Sequence, residues 1–419
     1  MTLLFCFYFI GFLWIIARAP FFHSTGWSRK TLWSLFALKT VASMGIVLVY
    51  TVYYTDRGNA DIYKFFDDAM AICQSAASRP LTFLKIVSGI HFDRTDPQVA
   101  AILAKTHHFD KSNAGFLESS NTLMIRINAV LGLISTGSIY VHALWFAFFS
   151  FCGSIALFKG LRSYIPNERL HIAILFFVPS ILFWTSGMLK ETILLTAFGF
   201  LFLALQRLLS GSHFIKASIT ALFASCIIYI TKPLFALAFT GAALFSLTIH
   251  LFIRKQQLWR WLTVPLWIGI LFWMQQHWCT LTVGMIQKRN EFIALGNTMH
   301  AGSLTDTVFA SPSCNSWLQY LPQAFVNTVV KPLPFSGGAM ERLFGLENLV
   351  LLVVLLAAPW WYQKPARSAW PWLVTLVAFS LSCYLVIGIS VPIIGAVVRY
   401  KVIPMLFLLL AGAMGLRKT

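Results

Sequence analysis

The chain has 419 residues, 58% of them hydrophobic and only 11% charged, with a mean hydropathy of +0.74. Soluble domains carry about 25% charged residues, so that class is excluded, and the alternating segments of a membrane β-barrel are absent from the sequence. A formal net charge of +18 then points to orienting loops and anionic lipid, with no nucleic-acid partner.

A hydrocarbon layer of about 30 Å needs some 20 apolar residues per helix, and a backbone in lipid must satisfy its own hydrogen bonds. Eleven spans are predicted, over about 2–17, 31–54, 138–158, 170–186, 192–209, 216–231, 233–253, 261–278, 347–362, 370–389 and 401–416. The fold class is an all-α polytopic membrane protein, a single transmembrane domain over 1–419 with two long outer loops, 55–137 and 279–346, that contain interfacial helices. The opening segment MTLLFCFYFIGFLWIIARAP lacks a basic n-region and reads as a retained helix, not a cleaved signal.

Charge sorts the loops. On one side Arg18, Arg29, Lys30, Lys159, Arg162, Arg169, Arg207, Lys216, Arg254, Lys255, Arg260, Lys364, Arg367, Arg417 and Lys418 meet a single acid, Glu168. Lys39 is expected to snorkel to that same side. The remaining basic residues share the other side with all the other acids. The positive-inside rule puts the first set in the cytoplasm, the N-terminus outside and the C-terminus inside.

In the first outer loop, Ile62, Phe65, Phe66, Ala69, Ile72, Cys73 and Ala76 recur at helical spacing. Asp61, Lys64 and Asp68 fall on the opposite, polar face. Such a helix belongs in the membrane interface. Thr122–Ser135 reads as a second interfacial or re-entrant helix. In the second loop a helix is predicted over Trp317–Val330, ending where Pro332 and Pro334 cannot continue it. Cys6, Cys152, Cys226 and Cys383 lie in spans as packing residues. Cys279 and Cys314 share the second outer loop; they read as thiols, with a disulfide as the alternative. His142, His171 and His250, at span ends, read as histidines satisfied by backbone or water.

Spans with almost no ionisable residues argue against an ion channel or a proton-coupled pump. The chemistry is expected on the outer face. Lys190-Glu191 lies in a turn of about five residues between two spans, Lys232 in a second turn, Arg399 and Lys401 in a third. Cations in tight turns could clamp a phosphate or diphosphate, with arginine suited to bidentate contact. Asp56, Asp61, Asp67 and Asp68 follow a span directly, and one could deprotonate an acceptor hydroxyl. The candidate site is therefore catalytic Asp61, Asp67, Asp68 and Glu191, with phosphate-binding Lys190, Lys232, Arg399 and Lys401. No zinc signature, glycine-rich phosphate loop or redox motif is present. No cofactor or metal is assigned, although Asp67-Asp68 could hold a divalent cation.

Four segments carry a resemblance: Asp61–Asp68, Pro179–Glu191, FVNTVVKPLPFSGGAMERLFGLENLV from Phe325 to Val350, and Gly395–Pro404. They resemble bacterial membrane proteins of surface polysaccharide assembly, the C-fold glycosyltransferase-like and O-antigen or capsule polymerase-like proteins. That resemblance implies a polyprenyl phosphate- or diphosphate-linked sugar donor, a glycan acceptor, membrane lipids as partners and the periplasmic face of the inner membrane. It also implies a catalytic acid in the first outer loop, at Asp61 or alternatively Asp67 or Asp68, and gives Arg399 the role of a polymerase arginine. Here the loop follows the second span instead of the first, and the usual soluble C-terminal domain is not seen, so transferase and polymerase both stay open. A flippase for a lipid-linked oligosaccharide and a non-catalytic assembly subunit are the alternatives.

Overall fold

The computed structural model describes residues 2–53, 57–111, 119–253, 257–298, 303–335 and 337–416. The fold is all-helical, 77% helix, with no strand among the described residues. Chain order gives α1 Thr2–Arg18, α2 Pro20–His23, α3 Arg29–Tyr53, α4 Asp61–Cys73, α5 Pro80–Ser88, α6 Pro97–Leu103, α7 Ser120–Ser135 and α8 Ile139–Leu161. Then follow α9 Glu168–Phe176, α10 Pro179–Trp184, α11 Lys190–Leu209, α12 Phe214–Thr231, α13 Pro233–Ile253 and α14 Gln257–Thr298. The last five are α15 Leu321–Phe325, α16 Ala339–Trp361, α17 Trp370–Ser390, α18 Ile394–Tyr400 and α19 Val402–Ala413.

Among the described residues, six helices are long and apolar enough to cross a membrane: α3, α8, α11, α12, α13 and α17. A seventh span results if α18 and α19, bent by 48°, count as one. These helices mark the protein as membrane-embedded. The segment expected as a continuous span over 170–186 is instead broken into α9 and α10 at Phe177-Val178, just before Pro179, where proline cannot continue the preceding helix.

Two compact units form: Met1–Leu161 with Leu175–Phe177 and Ile181–Pro233, and Arg162–Ile174 with Val178–Ser180 and Leu234–Thr419. In the first, α3 and α8 run antiparallel. Ser43 Oγ donates to the Ala143 carbonyl at 2.8 Å, and the Phe36 and Phe151 rings meet at a tilt with centres 5.6 Å apart. Small residues let α8 and α11 touch backbone to backbone. A Cβ on Gly153 would collide with Thr196, one on Gly160 with Leu203, and one on Gly199 with the Gly153 carbonyl. Such small-residue contact drives helix association in lipid, where apolar burial gives no net force. The matched positions also show that α8 and α11 run parallel.

Between α3 and α8, α4 packs on α7 and buries Ile62, Phe65, Phe66, Ala69 and Ile72. One expectation is corrected here. Asp68 is not on a polar outer face but 98% buried, among the same side chains.

The second unit is organised on α14, α17 and α19. α14 is 42 residues long, far more than a bilayer needs at 1.5 Å per residue. The chain after it folds back on it. Cys279 and Cys314 form a disulfide, not the two thiols expected. Asn290 exchanges two hydrogen bonds with the Ala310 backbone, and Arg289 pairs with Asp306. Over the expected Trp317–Val330 helix the chain is a 3₁₀ turn at Ser316–Tyr320, then α15, then a π-helical turn at Val326–Val330 that stops at Lys331.

Candidate functional site

The recess of the first unit is set by helix registers. α8 and α11 match Gly153 with Thr196 and Gly160 with Leu203, so Lys190, the first residue of α11, is level with Ala147. Ala147 lies eight residues along α8 from Ile139, which is about 12 Å from that helix's N-terminal end at 1.5 Å per residue. The α10–α11 connection, Thr185–Leu189, therefore dips into the bundle. It carries fully buried Thr185 and Ser186, and Thr192 just beyond it is equally enclosed.

Lys190 opens a helix, where the macrodipole disfavours a cation. Its Nζ is held by Ser120 Oγ and Asn121 Oδ1, both at 2.7 Å, and lies 5.7 Å from the Phe65 ring centre. α7 and α4 thus supply its surroundings. Glu191, next along, is 1% exposed and forms an ion pair with Lys232 Nζ at 3.6 Å. Lys232 reaches it from the C-cap of α12. A carboxylate in the first turn suits the dipole. Three of the expected residues, Lys190, Glu191 and Lys232, are thereby organised at the start of one helix.

The acids of α4 divide by their partners. Asp68 accepts hydrogen bonds from the backbone N–H groups of His107, His108 and Phe109 at 2.9, 2.7 and 2.9 Å. A carboxylate so engaged ties a loop to a helix, and this corrects its expected role as a base. Asp67 takes a bidentate grip from Arg57, with Nε at 2.8 Å and Nη2 at 2.7 Å; that carboxylate raises the guanidinium pKa. Asp61, in the first turn of α4, faces Lys64 at 3.7 Å and is half-buried. Asp56 lies outside the described residues.

In the second unit, Lys401 Nζ donates to the Thr328 carbonyl (3.0 Å), the Lys331 carbonyl (3.0 Å) and Asn348 Oδ1 (2.9 Å). An ammonium has three N–H donors, and all three are filled. Asn348 Nδ2 in turn donates to the Val329 and Val330 carbonyls. Lys401 is a brace for the π-helical turn and not the phosphate ligand expected of it. Arg399 is 7% exposed, in the last turn of α18.

Several polar groups were not legible as functional. Lys39 does not snorkel. Ser43–Ala143 and Phe36–Phe151 place it level with Ala147, 14 residues and about 21 Å from the C-terminal end of α8. It is 0% exposed and donates to Thr185 Oγ1 at 3.1 Å. Insertion scales charge about 2.5–3.5 kcal/mol for such a lysine. His142, expected to rely on backbone or water, is held by side chains: Nε2 to Ser135 Oγ at 2.7 Å and Nδ1 to Asn128 Oδ1 at 2.8 Å. Asn128 Nδ2 donates to the Met124 carbonyl, so its Oδ1 accepts and His142 Nδ1 carries the proton. In the second unit Arg289, 0% exposed, lies 4.3 Å from the Tyr320 ring centre. No group of three or more His, Cys, Asp or Glu residues able to hold a metal occurs among the described residues.

Compared with protein-family models, curated proteins and solved structures, the chain matches none of them.

Proposed function

We propose that the protein transfers a sugar or oligosaccharide from a polyprenyl phosphate- or diphosphate-linked donor to a glycan acceptor, at the periplasmic face of a bacterial inner membrane. The observation that carries it is Lys190: a cation at the start of α11, against the helix dipole, recessed about 12 Å and beside the Glu191–Lys232 pair. Natural sequences break local preferences mainly where function requires it. In the reaction, the acceptor oxygen forms a bond to the anomeric carbon as the bond to the phosphate oxygen breaks. Asp61 takes the acceptor proton, and Lys190, with Lys232, stabilises the departing phosphate. Arg399 is a cation of the second unit to be tested by itself. Eleven spans, an outer N-terminus and a cytoplasmic C-terminus accompany this reading. The Cys279–Cys314 disulfide supports an outer second loop, because the cytoplasm keeps thiols reduced.

Lys190→Ala and Arg399→Ala are expected to abolish polymer in cells while the protein remains inserted at wild-type level. Normal polymer from both variants would refute the phosphate clamp.

A second reading, a flippase for a lipid-linked oligosaccharide, is favoured by the α9–α10 break, the 48° bend at Lys401 and the buried Lys39, since transporters use interrupted helices and intramembrane charges at their sites. Deletion separates the two. Lipid-linked units gathering on the outer leaflet indicate a lost transferase, and units trapped on the cytoplasmic leaflet indicate a lost flippase.

A further inference from the structure

Lys39 and Lys190 are level with the same residue of α8, Ala147, although they come from α3 and α11. Between them runs the Thr185–Leu189 connection, which is not helical and whose Gly187 lies directly on Ile46. Lys39 is fully enclosed, and its contacts among the described residues are Thr185 Oγ1 at 3.1 Å and the Phe176 ring at 5.7 Å. One N–H of three is therefore used by a hydrogen bond, and no carboxylate faces it. Thr185 Oγ1 is also committed as a donor to the Ile181 carbonyl. Three other buried or half-buried charges in this unit have an opposite charge or several hydrogen-bond partners. Glu191 has Lys232, Asp68 has three N–H groups and Lys190 has two side-chain oxygens. A lone buried ammonium is retained against its desolvation cost where it serves an intramembrane anion or ion path.

We infer that Lys39 is the deep cation of an intramembrane site for a phosphate group, entered alongside the Thr185–Leu189 connection and shared with Lys190. Phosphate oxygens would supply the acceptors that two N–H directions of Lys39 lack, in charge-assisted hydrogen bonds. At this depth, with aromatic and aliphatic walls, the phosphate arrives either as the head of a lipid or as the free ion. The inference rests on the reading that this recess receives a phosphate-bearing donor, but it concerns binding and not transfer.

The test uses the full-length protein in nanodiscs, with polyprenyl phosphate, the matched neutral polyprenol and inorganic phosphate as probes. Lys39→Met, a replacement of similar shape that removes an unpaired charge, should insert normally with an undiminished melting temperature. It should bind polyprenyl phosphate about tenfold or more weakly than wild type while binding polyprenol equally. Thr185→Val removes the one hydrogen bond and leaves the ammonium, so it should keep wild-type affinity within about twofold. Competition by inorganic phosphate identifies the free ion as the ligand, and its absence identifies the lipid head. Equal binding of polyprenyl phosphate by wild type and Lys39→Met overturns the inference, as does equal loss in both variants, which marks a structural Lys39–Thr185 contact. A protein that binds through Lys39 yet shows no sugar transfer refutes the transferase and leaves the site standing.

Discussion

At the scale of residues, the expected site separates into groups that brace and groups with chemistry left to do. Asp68 is engaged by three backbone N–H groups, and Lys401 by two backbone carbonyls and Asn348 Oδ1, so each should behave as a structural residue. Asp68→Ala leaves three backbone N–H groups without their acceptor and should cost about 3 kcal/mol, read as easier proteolysis of the loop around residues 107–109. Asp61→Asn should leave that proteolysis unchanged and abolish transfer; the opposite pattern would move the base to Asp68. His108 adds a pH dependence. Its burial lowers its pKa below the usual 6.5, against the opposing pull of Asp68. A base depressed by folding is favoured neutral, so its contribution is full above pH 6.5 and is lost as pH falls through the folded value. Proteolysis of this loop should accelerate on acidification below pH 6.5, and His108→Gln should flatten that profile.

At the scale of elements, helix positions were readable and their interruptions were not. The spans over 31–54, 138–158, 192–209, 216–231, 233–253 and 370–389 correspond to helices because twenty apolar residues in lipid have only that solution. The break at Phe177-Val178 follows from Pro179, which hydropathy does not weigh, and the bend at Lys401 has no such residue to announce it. Asp68 shows the same limit: helical spacing put it opposite the apolar stripe, but the 107–109 backbone supplies a polar partner within the buried face. Lys39 was legible only as a charge near a span end. Its burial follows from the α3–α8 register, which no single-chain pattern contains. The α8–α11 contact yields a sharp prediction. Gly153→Val or Gly199→Val drives a side chain into the partner backbone, so both should lower the melting temperature strongly and reduce inserted protein. Gly241→Ala, whose Cβ meets nothing within 4 Å, serves as the benign control. In the second unit the disulfide closes 35 residues, worth about 2–4 kcal/mol in the chain-entropy account. Reduction, or Cys279→Ser, should loosen the 303–320 segment, measured by limited proteolysis.

For the whole molecule, the uneven charge layout and the buried polar groups belong to one design. Loop cations on one side suffice to orient a bilayer protein, and the cations expected in the opposite turns need another account. Lys401 has a structural one, and Lys190 with Lys232 gathers at the recessed start of α11. The central claim is that this recess supports displacement at a phosphate-linked sugar. The direct measurement is made with purified protein in vesicles supplied with a radiolabelled polyprenyl diphosphate-linked sugar and a glycan acceptor, following label in the acceptor and release of polyprenyl diphosphate. The account predicts stoichiometric transfer and release by wild type, and a loss of about a hundredfold or more in Lys190→Ala. Donor moved between leaflets with no label entering the acceptor would contradict it.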